Sequence, residues 1–222
     1  MTDPRVSILL PVHNAYDTLG ECLASIAAQT EHRYEVVAVN DHSADASPKL
    51  LRDAAAQDER IRVLDRPARG LVGALNAGLA DCRAPLVARM DADDVMHPQR
   101  LACQLARMTE QPDLTVLATR VELLETDATG DGQREYVRWQ NSCVSEQDMA
   151  NRRYVESPLT HPSVMFRRDD ILGAGAYRDG PFAEDYDLWL RLFESGNRIA
   201  KVPEVLLQWR DGATRLSRTD ER

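Results

Sequence analysis

Short apolar runs alternate with amphipathic segments along the first half of the chain. Apolar runs of about four to eight residues bounded by turn residues predict buried strands, and apolar residues three and four positions apart predict helices. Strands are predicted at Val6–Leu10, Glu35–Val39, Ile61–Leu64, Leu86–Met90 and Val116–Leu124. Helices are predicted at Asp17–Gln29, Ser47–Gln57 and Leu71–Leu79, and another opens at His97 and Pro98. Because the crossovers are short, this alternation indicates an α/β fold with a mostly parallel sheet flanked by helices.

The second half of the chain is less regular and predicts a smaller, mixed sheet region. Thr126–Gln133 is polar and contains glycine, so it predicts an exposed loop. Strands are predicted at Ser163–Phe166 and Ala200–Trp209, and a helix at Phe182–Ser195. We expect one domain over residues 1–222, with halves at about 5–115 and 116–210. A polar tail at 211–222 ends without a capped element, so we expect the natural chain to continue.

Two helix ends carry capping signals. Ser47 followed by Pro48 predicts an N-cap with proline at the first helical position. The helix after Arg69 carries glycine that fits close packing, and Gly78 fits a C-cap that ends it.

The composition is that of an acidic globular protein. Apolar residues make up 43% of the chain and charged residues 28%, and the formal net charge is −9. A protein that reads the nucleic-acid backbone is normally basic, so we expect no nucleic-acid partner. A phosphorylated ligand would instead need a metal ion, a helix N-terminus or a well-placed arginine.

The four cysteines form no CxxC pair, so we expect reduced thiols and no zinc or redox motif. The N-terminus has no signal-peptide pattern, and no apolar run has the length of a membrane span. We therefore expect a cytoplasmic protein. Peripheral attachment to the inner face of the membrane is compatible with this expectation, because it needs no span.

Polar residues follow three predicted strands. Pro11-Val12-His13-Asn14 follows the first strand, Asn40-Asp41 ends the second, and Asp91-Ala92-Asp93-Asp94 follows the fourth. Ligands of open parallel sheets bind beyond the carboxyl ends of the strands. Each segment alone fits ordinary turn chemistry, but three together favour a binding site.

Asp91, Asp93 and Asp94 are the strongest candidate for metal binding. Three neighbouring carboxylates repel one another unless a cation lies among them, and Mg²⁺ and Mn²⁺ prefer oxygen ligands. In an extended backbone Asp91 and Asp93 project to the same side. The alternative is a solvated acidic turn in which Asp94 interacts with a helix N-terminus.

Three further sets of residues are weaker candidates. Asp41 fits a hydrogen bond to a base or ribose, or an ordinary Asx turn. Arg69, followed by a helix with Gly73 near its start, fits an anion site. A carboxylate of Glu184, Asp185 or Asp187 fits a general base, or simply the acidic first turn of a helix. His161, which precedes a proline, is more often a structural loop residue.

These segments in this order resemble the inverting glycosyltransferases of family 2, which have the GT-A fold. The resemblance spans about residues 5–210 and rests on six segments spread along the chain. These are Val6–Asn14, Val39–Asp45, Arg69–Gly78, Asp91–Asp94, His161–Ser163 and Glu184–Trp189.

The resemblance implies a role for each matching residue. Pro11, Val12, His13 and Asn14 would line the nucleotide of a nucleoside-diphosphate sugar, most often a UDP-sugar. Asp41 would contact the base, Arg69 and Gly73 the nucleotide or donor sugar, and Asp91 and Ala92 the nucleotide. Asp93, with Asp91 as a shared contact, would bind Mn²⁺ or Mg²⁺ on the diphosphate. Asp185 would be the catalytic base toward a glycan, lipid-linked or small-molecule acceptor, with His161 and Glu184 on the acceptor side.

Two positions depart from the family pattern. Asn40 stands where many relatives have Asp, and the segment Gln208–Gly212 lacks a His that some relatives place near the diphosphate. Arg210 or Arg215 would have to replace the charge of that His.

Two other functions compete with glycosyl transfer. A nucleotidyltransferase would also use a metal and a related sheet, but it would want a Gly-rich phosphate loop after the first strand. A non-catalytic nucleotide-sugar-binding module would retain the fold without needing the acidic residues.

Overall fold

A computed structural model describes residues 3–66, 70–125 and 129–211 of the chain. Four parallel strands form the first half of its sheet. Strand β1 (Val6–Val12) lies between β2 (Tyr34–Asp41) and β4 (Leu86–Arg89), and β3 (Ile61–Arg66) pairs with β2. Strands β1, β2 and β4 are buried along their whole length, as their continuous apolar runs predict.

Helices cover both faces of this sheet. On one face α1 (Tyr16–Ala27), α2 (Ser47–Gln57) and α4 (Arg100–Glu110) share one hydrophobic cluster with alternate residues of β1 and β2. On the other face α3 (Gly70–Asp81) packs on Leu9, Val37 and Val39. A Cβ at Gly78 would lie 2.3 Å from Leu9 Cδ1 and 2.8 Å from Val39 Cγ2, so only glycine allows this approach.

The second half of the chain extends the same sheet with mixed pairing. Its elements are β5 (Val95–Met96), β6 (Leu114–Leu124), α5 (Asp131–Ser142), α6 (Glu146–Arg152), a 3₁₀ turn (His161–Ser163), β7 (Met165–Arg167), α7 (Arg168–Gly173), α8 (Glu184–Glu194) and β8 (Arg198–Arg210). Across the described residues the strand order is β3-β2-β1-β4-β7-β6-β8-β5. Strand β7 runs antiparallel to β4 and β6, β8 runs parallel to β6, and β5 runs antiparallel to β8.

The antiparallel insertion of β7 determines what meets the carboxyl ends of the parallel strands. Because β7 runs against β4, the turn that precedes it, His161–Ser163, lies at the carboxyl end of β4. The Arg89 amide donates to the Val164 carbonyl at 3.0 Å, which fixes this junction. The carboxyl ends of β6 and β8 lie at the same edge, since both run parallel to β4.

The α/β sheet predicted from sequence is confirmed, but several local predictions are wrong. Helix α5 begins at Asp131, inside the predicted loop Thr126–Gln133, of which 126–128 lie outside the described residues. Helices α5, α6 and α7 were not predicted, because α5 presents few apolar residues and because α6 and α7 are short. Ser47 is the first helical residue and not the N-cap, since its hydroxyl accepts from the Ala15 amide at 2.9 Å. Gly78 is not a C-cap, because α3 continues to Asp81.

The division of the chain into two halves stays a prediction, since one sheet runs through both. The four cysteines are unpaired, and Cys103 is the one that is not fully buried. Among the described residues we find no helix with the length and apolar character needed to cross a bilayer.

Candidate active site

Three carboxylates converge directly after β4. Asp91, Asp93 and Asp94, which we call the acidic turn, place one ligand oxygen each within 4.8 Å of the others. The predicted extended backbone is wrong here. The Asp94 amide donates to the Asp91 carbonyl at 3.4 Å, and this turn brings Asp94 in beside the other two. The alternative role for Asp94 at a helix N-terminus is also wrong, because α4 begins only at Arg100.

The oxygens of Asp94 differ from each other. The residue is 1% exposed, and its Oδ1 accepts from the Arg210 amide at 2.8 Å. Its Oδ2 is buried and has no hydrogen-bond partner. A buried, unpartnered carboxylate oxygen beside two further carboxylates is costly without a cation. The donor set therefore fits a hard divalent cation such as Mg²⁺ or Mn²⁺.

The electrostatics of the acidic turn agree with this fit. Burial, followed by the charge of Asp91, raises the pKa of Asp93 to about 6. Burial and the charges of Asp91 and Asp93 raise the pKa of Asp94 further above its ordinary value. Asp93 and Asp94 therefore resist ionisation unless positive charge is added beside them.

Neighbouring elements fix the backbone of the acidic turn. Arg210, at the end of β8, donates from Nε to the Asp93 carbonyl at 2.8 Å and contacts Glu21. Thr18 Oγ1 donates to the Ala92 carbonyl at 3.1 Å. Arg210 thus lies beside the acidic turn, as its expected substitution for a histidine requires, whereas Arg215 lies outside the described residues.

The ends of β1 and β2 lie beside each other at the same edge. Pro11 and Val12 are buried, while His13 and Asn14 are exposed. His13 Nδ1 lies 2.8 Å from the Asp41 carbonyl oxygen, and the Asn14 amide donates to Ser43 Oγ at 3.1 Å. Asp41 itself is buried at the end of β2.

The Asx-type contact in this region belongs to Asn40, since its Oδ1 accepts from the Ser43 amide at 3.1 Å. Gly73 lies half-buried near the start of α3. Arg69 lies outside the described residues.

A second cluster faces the same edge from the second half of the chain. His161, Glu184 and Asp185, which we call the histidine cluster, place their ligand-type atoms within 4.8 Å of one another. His161 Nδ1 lies 3.7 Å from Glu184 Oε1, and its Nε2 lies 3.0 Å from the Tyr177 hydroxyl. His161 is only 9% exposed and packs edge-on against Trp189.

The titration of the histidine cluster differs from that of free side chains. Burial, followed by the charge of Glu184, raises the pKa of Asp185 to about 7. Burial, followed by the charge of Arg89, lowers the pKa of His161 well below its ordinary value, so the imidazole is neutral. Asp187, the other candidate base on α8, pairs instead with Arg191 at 2.8 Å.

Three residues of the site were not predicted from the sequence: Arg89, Asn76 and Tyr177. Arg89 is buried and pairs with Asp91. Asn76 donates to the Tyr177 carbonyl at 2.9 Å and accepts from the Tyr177 amide at 3.1 Å. For Arg89 the sequence offered one signal, a charged residue inside an apolar strand. The pairing of Asn76 with Tyr177 joins residues 101 positions apart and leaves no local pattern.

A sheet of this topology with an acidic turn at its carboxyl edge is the architecture of GT-A transferases. The family model described as "Glycosyl transferase family 2" matches residues 7–172. The chain therefore belongs to glycosyltransferase family 2, and the family and fold predicted from sequence are confirmed.

Two curated relatives match most of the chain. The chain is 31% identical over 215 residues to the amylovoran biosynthesis glycosyltransferase AmsE of Erwinia amylovora. This alignment covers 96% of the chain and 78% of AmsE. The chain is also 30% identical over 211 residues to an Escherichia coli protein named UDP-Gal:alpha-D-GlcNAc-diphosphoundecaprenol beta-1,3-galactosyltransferase, covering 93% and 74% of the two chains.

Two solved structures share the fold. TarS of S. aureus, residues 1–349, aligns with a TM-score of 0.76 and 18% identity, over 93% of this chain and 60% of that one. The mannosyltransferase PcManGT of Pyrobaculum calidifontis, solved with GDP-Man and Mn²⁺, aligns with a TM-score of 0.73 and 19% identity, over 94% and 57%. The chain thus spans about three fifths of these solved chains.

Proposed function

We propose that this protein transfers a sugar from a nucleoside-diphosphate donor, a UDP-sugar, to an acceptor hydroxyl with inversion at the anomeric carbon. A divalent cation on the diphosphate and Asp185 as general base are part of the proposal. The observation that carries it is the acidic turn, with its buried, unpartnered Asp94 Oδ2. The acceptor is a glycan or a lipid-linked sugar.

The donor would lie along the carboxyl edge of β1, β2 and β4. Pro11, Val12, His13 and Asn14 would line the nucleotide, and Asp41 would contact its base. Gly73, Asp91 and Ala92 would face the nucleotide and donor sugar, together with Arg69. We assign Asp93 and Asp91 as the residues that hold Mn²⁺ or Mg²⁺, which when bound neutralises the leaving diphosphate.

The histidine cluster would serve the acceptor. Asp185 would accept the proton of the acceptor hydroxyl while that oxygen forms its bond to the anomeric carbon and the bond to the nucleoside diphosphate breaks. A pKa of about 7 suits a general base that works near neutral pH. His161 and Glu184 would lie beside the acceptor.

Relatives support the choice of donor and acceptor. TarS has been solved with UDP-GlcNAc, and PcManGT with GDP-Man and Mn²⁺. The name of the E. coli relative gives UDP-Gal as donor and a diphosphoundecaprenol-linked sugar as acceptor. The proposal for this chain takes the UDP-sugar and the lipid-linked acceptor from these cases.

Calorimetric titration with UDP tests the donor site. We expect binding with Mn²⁺ that weakens at least tenfold in EDTA or in Asp93→Asn, because the cation links the carboxylates to the diphosphate. Asp53→Asn is the matched control, since Asp53 lies exposed on α2 in a surface pair with Lys49. If UDP, GDP and dTDP all fail to bind with Mn²⁺, the proposed function is wrong.

A further inference from the structure

A buried arginine lies between the acidic turn and the histidine cluster. Arg89 is the last residue of β4 and is 2% exposed. Its Nη1 forms an ion pair with Asp91 Oδ1 that is not aligned as a hydrogen bond, and both Nη1 and Nε are buried without a hydrogen-bond partner. Burying a guanidinium with an unmade hydrogen bond is costly, so nearby negative charge must stabilise it.

The charge of Arg89 reaches Asp91 by direct contact and the histidine cluster through space, where it opposes the rise in the pKa of Asp185. The contact with Asp91 is the one direct ion pair that Arg89 makes among the described residues.

The backbone around Arg89 is rigid. Its amide donates to the Val164 carbonyl at 3.0 Å, and its own carbonyl accepts from Arg100 Nη2 at 2.9 Å. Arg100 is fully buried and also donates to the Val164 carbonyl at 3.3 Å. Arg89 therefore projects from a fixed junction of β4 and β7, and a side chain anchored in this way can fix the orientation of Asp91.

We propose that Arg89 is a positioning residue that holds the Asp91 carboxylate in the orientation in which it binds the metal. This inference rests on the proposed function, because it concerns the same metal–diphosphate site. Partners that orient a metal-binding carboxylate typically contribute about 10–100-fold to metal affinity. The positive charge of Arg89 also repels a cation, so its two effects on affinity have opposite signs. Because Asp91 already neutralises that charge at contact distance, orientation outweighs repulsion.

Electron paramagnetic resonance of free Mn²⁺, titrated in the presence of UDP, measures this effect without turnover. We expect Arg89→Met to weaken Mn²⁺ binding at least tenfold. Arg89→Lys restores most of the affinity, because an ammonium keeps the ion pair with Asp91. Tighter Mn²⁺ binding in Arg89→Met would overturn the proposal, since it would show that repulsion dominates.

A double-mutant cycle separates positioning from a loss of folding. If Arg89 acts through Asp91, Arg89→Met adds nothing to the loss of affinity in Asp91→Asn. The doubly neutral variant removes both charges together, so it leaves no uncompensated ion in the core even if Arg89→Met alone does not fold. Additive losses in the cycle would overturn the proposal.

Arg167→Met is the matched control. Arg167 ends β7 at the opposite edge of the sheet and donates to the carbonyls of Leu114, Met108 and Gln111. It should lower the melting temperature and leave Mn²⁺ affinity unchanged. A wild-type protein that binds no Mn²⁺ with UDP would overturn the proposed function and this inference together. Normal wild-type binding with an unchanged Arg89→Met variant would overturn the inference alone.

Discussion

The acidic turn and the histidine cluster each bring three metal-ligand-type side chains within 4.8 Å, yet their charges differ. The acidic turn has three carboxylates, one of which lies buried with an unpartnered oxygen. In the histidine cluster a neutral imidazole replaces one carboxylate, and the pKa of Asp185 lies at about 7. Similar residue types therefore suit different ligands: the first cluster fits a cation, whereas the second can exchange a proton near neutral pH.

The two clusters differ in charge and in titration because of where each lies in the fold. The acidic turn is a continuous segment after a parallel strand, so its charges are fixed together by the chain. The histidine cluster joins a turn before an antiparallel strand to the first turn of α8. Its members come from separate elements, so the packing between those elements sets their burial and their pKa values.

Among the tests of this comparison, replacing the proposed base has the largest expected effect, which is on kcat. Asp185→Asn should lower kcat by about 10²–10⁴-fold, because general base catalysis is lost. Binding of UDP with Mn²⁺ should be unchanged, since the metal belongs to the other cluster. Steady-state kinetics and calorimetry measure both quantities. Glu194→Gln, at the exposed end of the same helix, is the control, and a collapse of UDP binding in Asp185→Asn would break the division of roles.

The pH dependence of kcat/KM is the next test. A base with a pKa of about 7 is active when deprotonated, so kcat/KM should fall tenfold per pH unit below about pH 7 and level off above it. Glu184→Gln removes a like charge, which lowers the pKa of Asp185 and moves the fall in kcat/KM to lower pH. If the fall occurs at the same pH in Glu184→Gln, a group other than Asp185 titrates. Asp169→Asn, a half-turn into α7 and highly exposed, is the control for a general change in charge.

The sequence predicted the acidic turn better than the histidine cluster, for a physical reason. Parallel strands place their carboxyl ends at one edge, so Asp41 and Asp91 could be placed together from local patterns alone. The position of His161 depends on β7 pairing antiparallel with β4, which no local pattern indicates. The burial of Asp94 likewise depends on Arg210, 116 positions away. Helix α5 was missed because its surface is polar and its buried residues are few.

The Asn76 side chain links the donor-side helix α3 to the histidine cluster through Tyr177. Asn76→Ala removes two hydrogen bonds to the Tyr177 backbone and should destabilise the fold by about 1–3 kcal/mol. Because Tyr177 contacts His161, kcat should also fall, by about tenfold for a change of 1.36 kcal/mol. Denaturant unfolding and steady-state kinetics measure the two effects.

Asn141→Ala is a matched control for Asn76→Ala. Asn141 makes the same reciprocal pair with the amide and carbonyl of Val121, at 3.0 and 2.7 Å. It should lower the free energy of unfolding by a similar amount and leave kcat unchanged. Equal losses of kcat in the two variants would show that the link through Tyr177 has no special part in the site.

The smallest expected effect is a gain in stability from Asp185→Asn. The fold raises the pKa of this carboxyl to about 7, above its value of about 3.9 in an unfolded chain. The folded protein therefore holds a proton that the unfolded chain releases, and stability rises as the pH falls from about 7 toward 4. At pH 8 ionised Asp185 destabilises the fold, so Asp185→Asn should raise the melting temperature by on the order of 5 °C.

At pH 4.5 the gain in melting temperature should be smaller, because Asp185 is then neutral in the folded protein. Thermal unfolding of both proteins at the two pH values measures the difference, with Glu194→Gln as the exposed control. An equal gain at both pH values would mean that the substitution acts by packing and not by charge. A pH-dependent gain would instead show that the fold keeps an ionised carboxylate at this position at the expense of stability, as expected for a group retained for its chemistry.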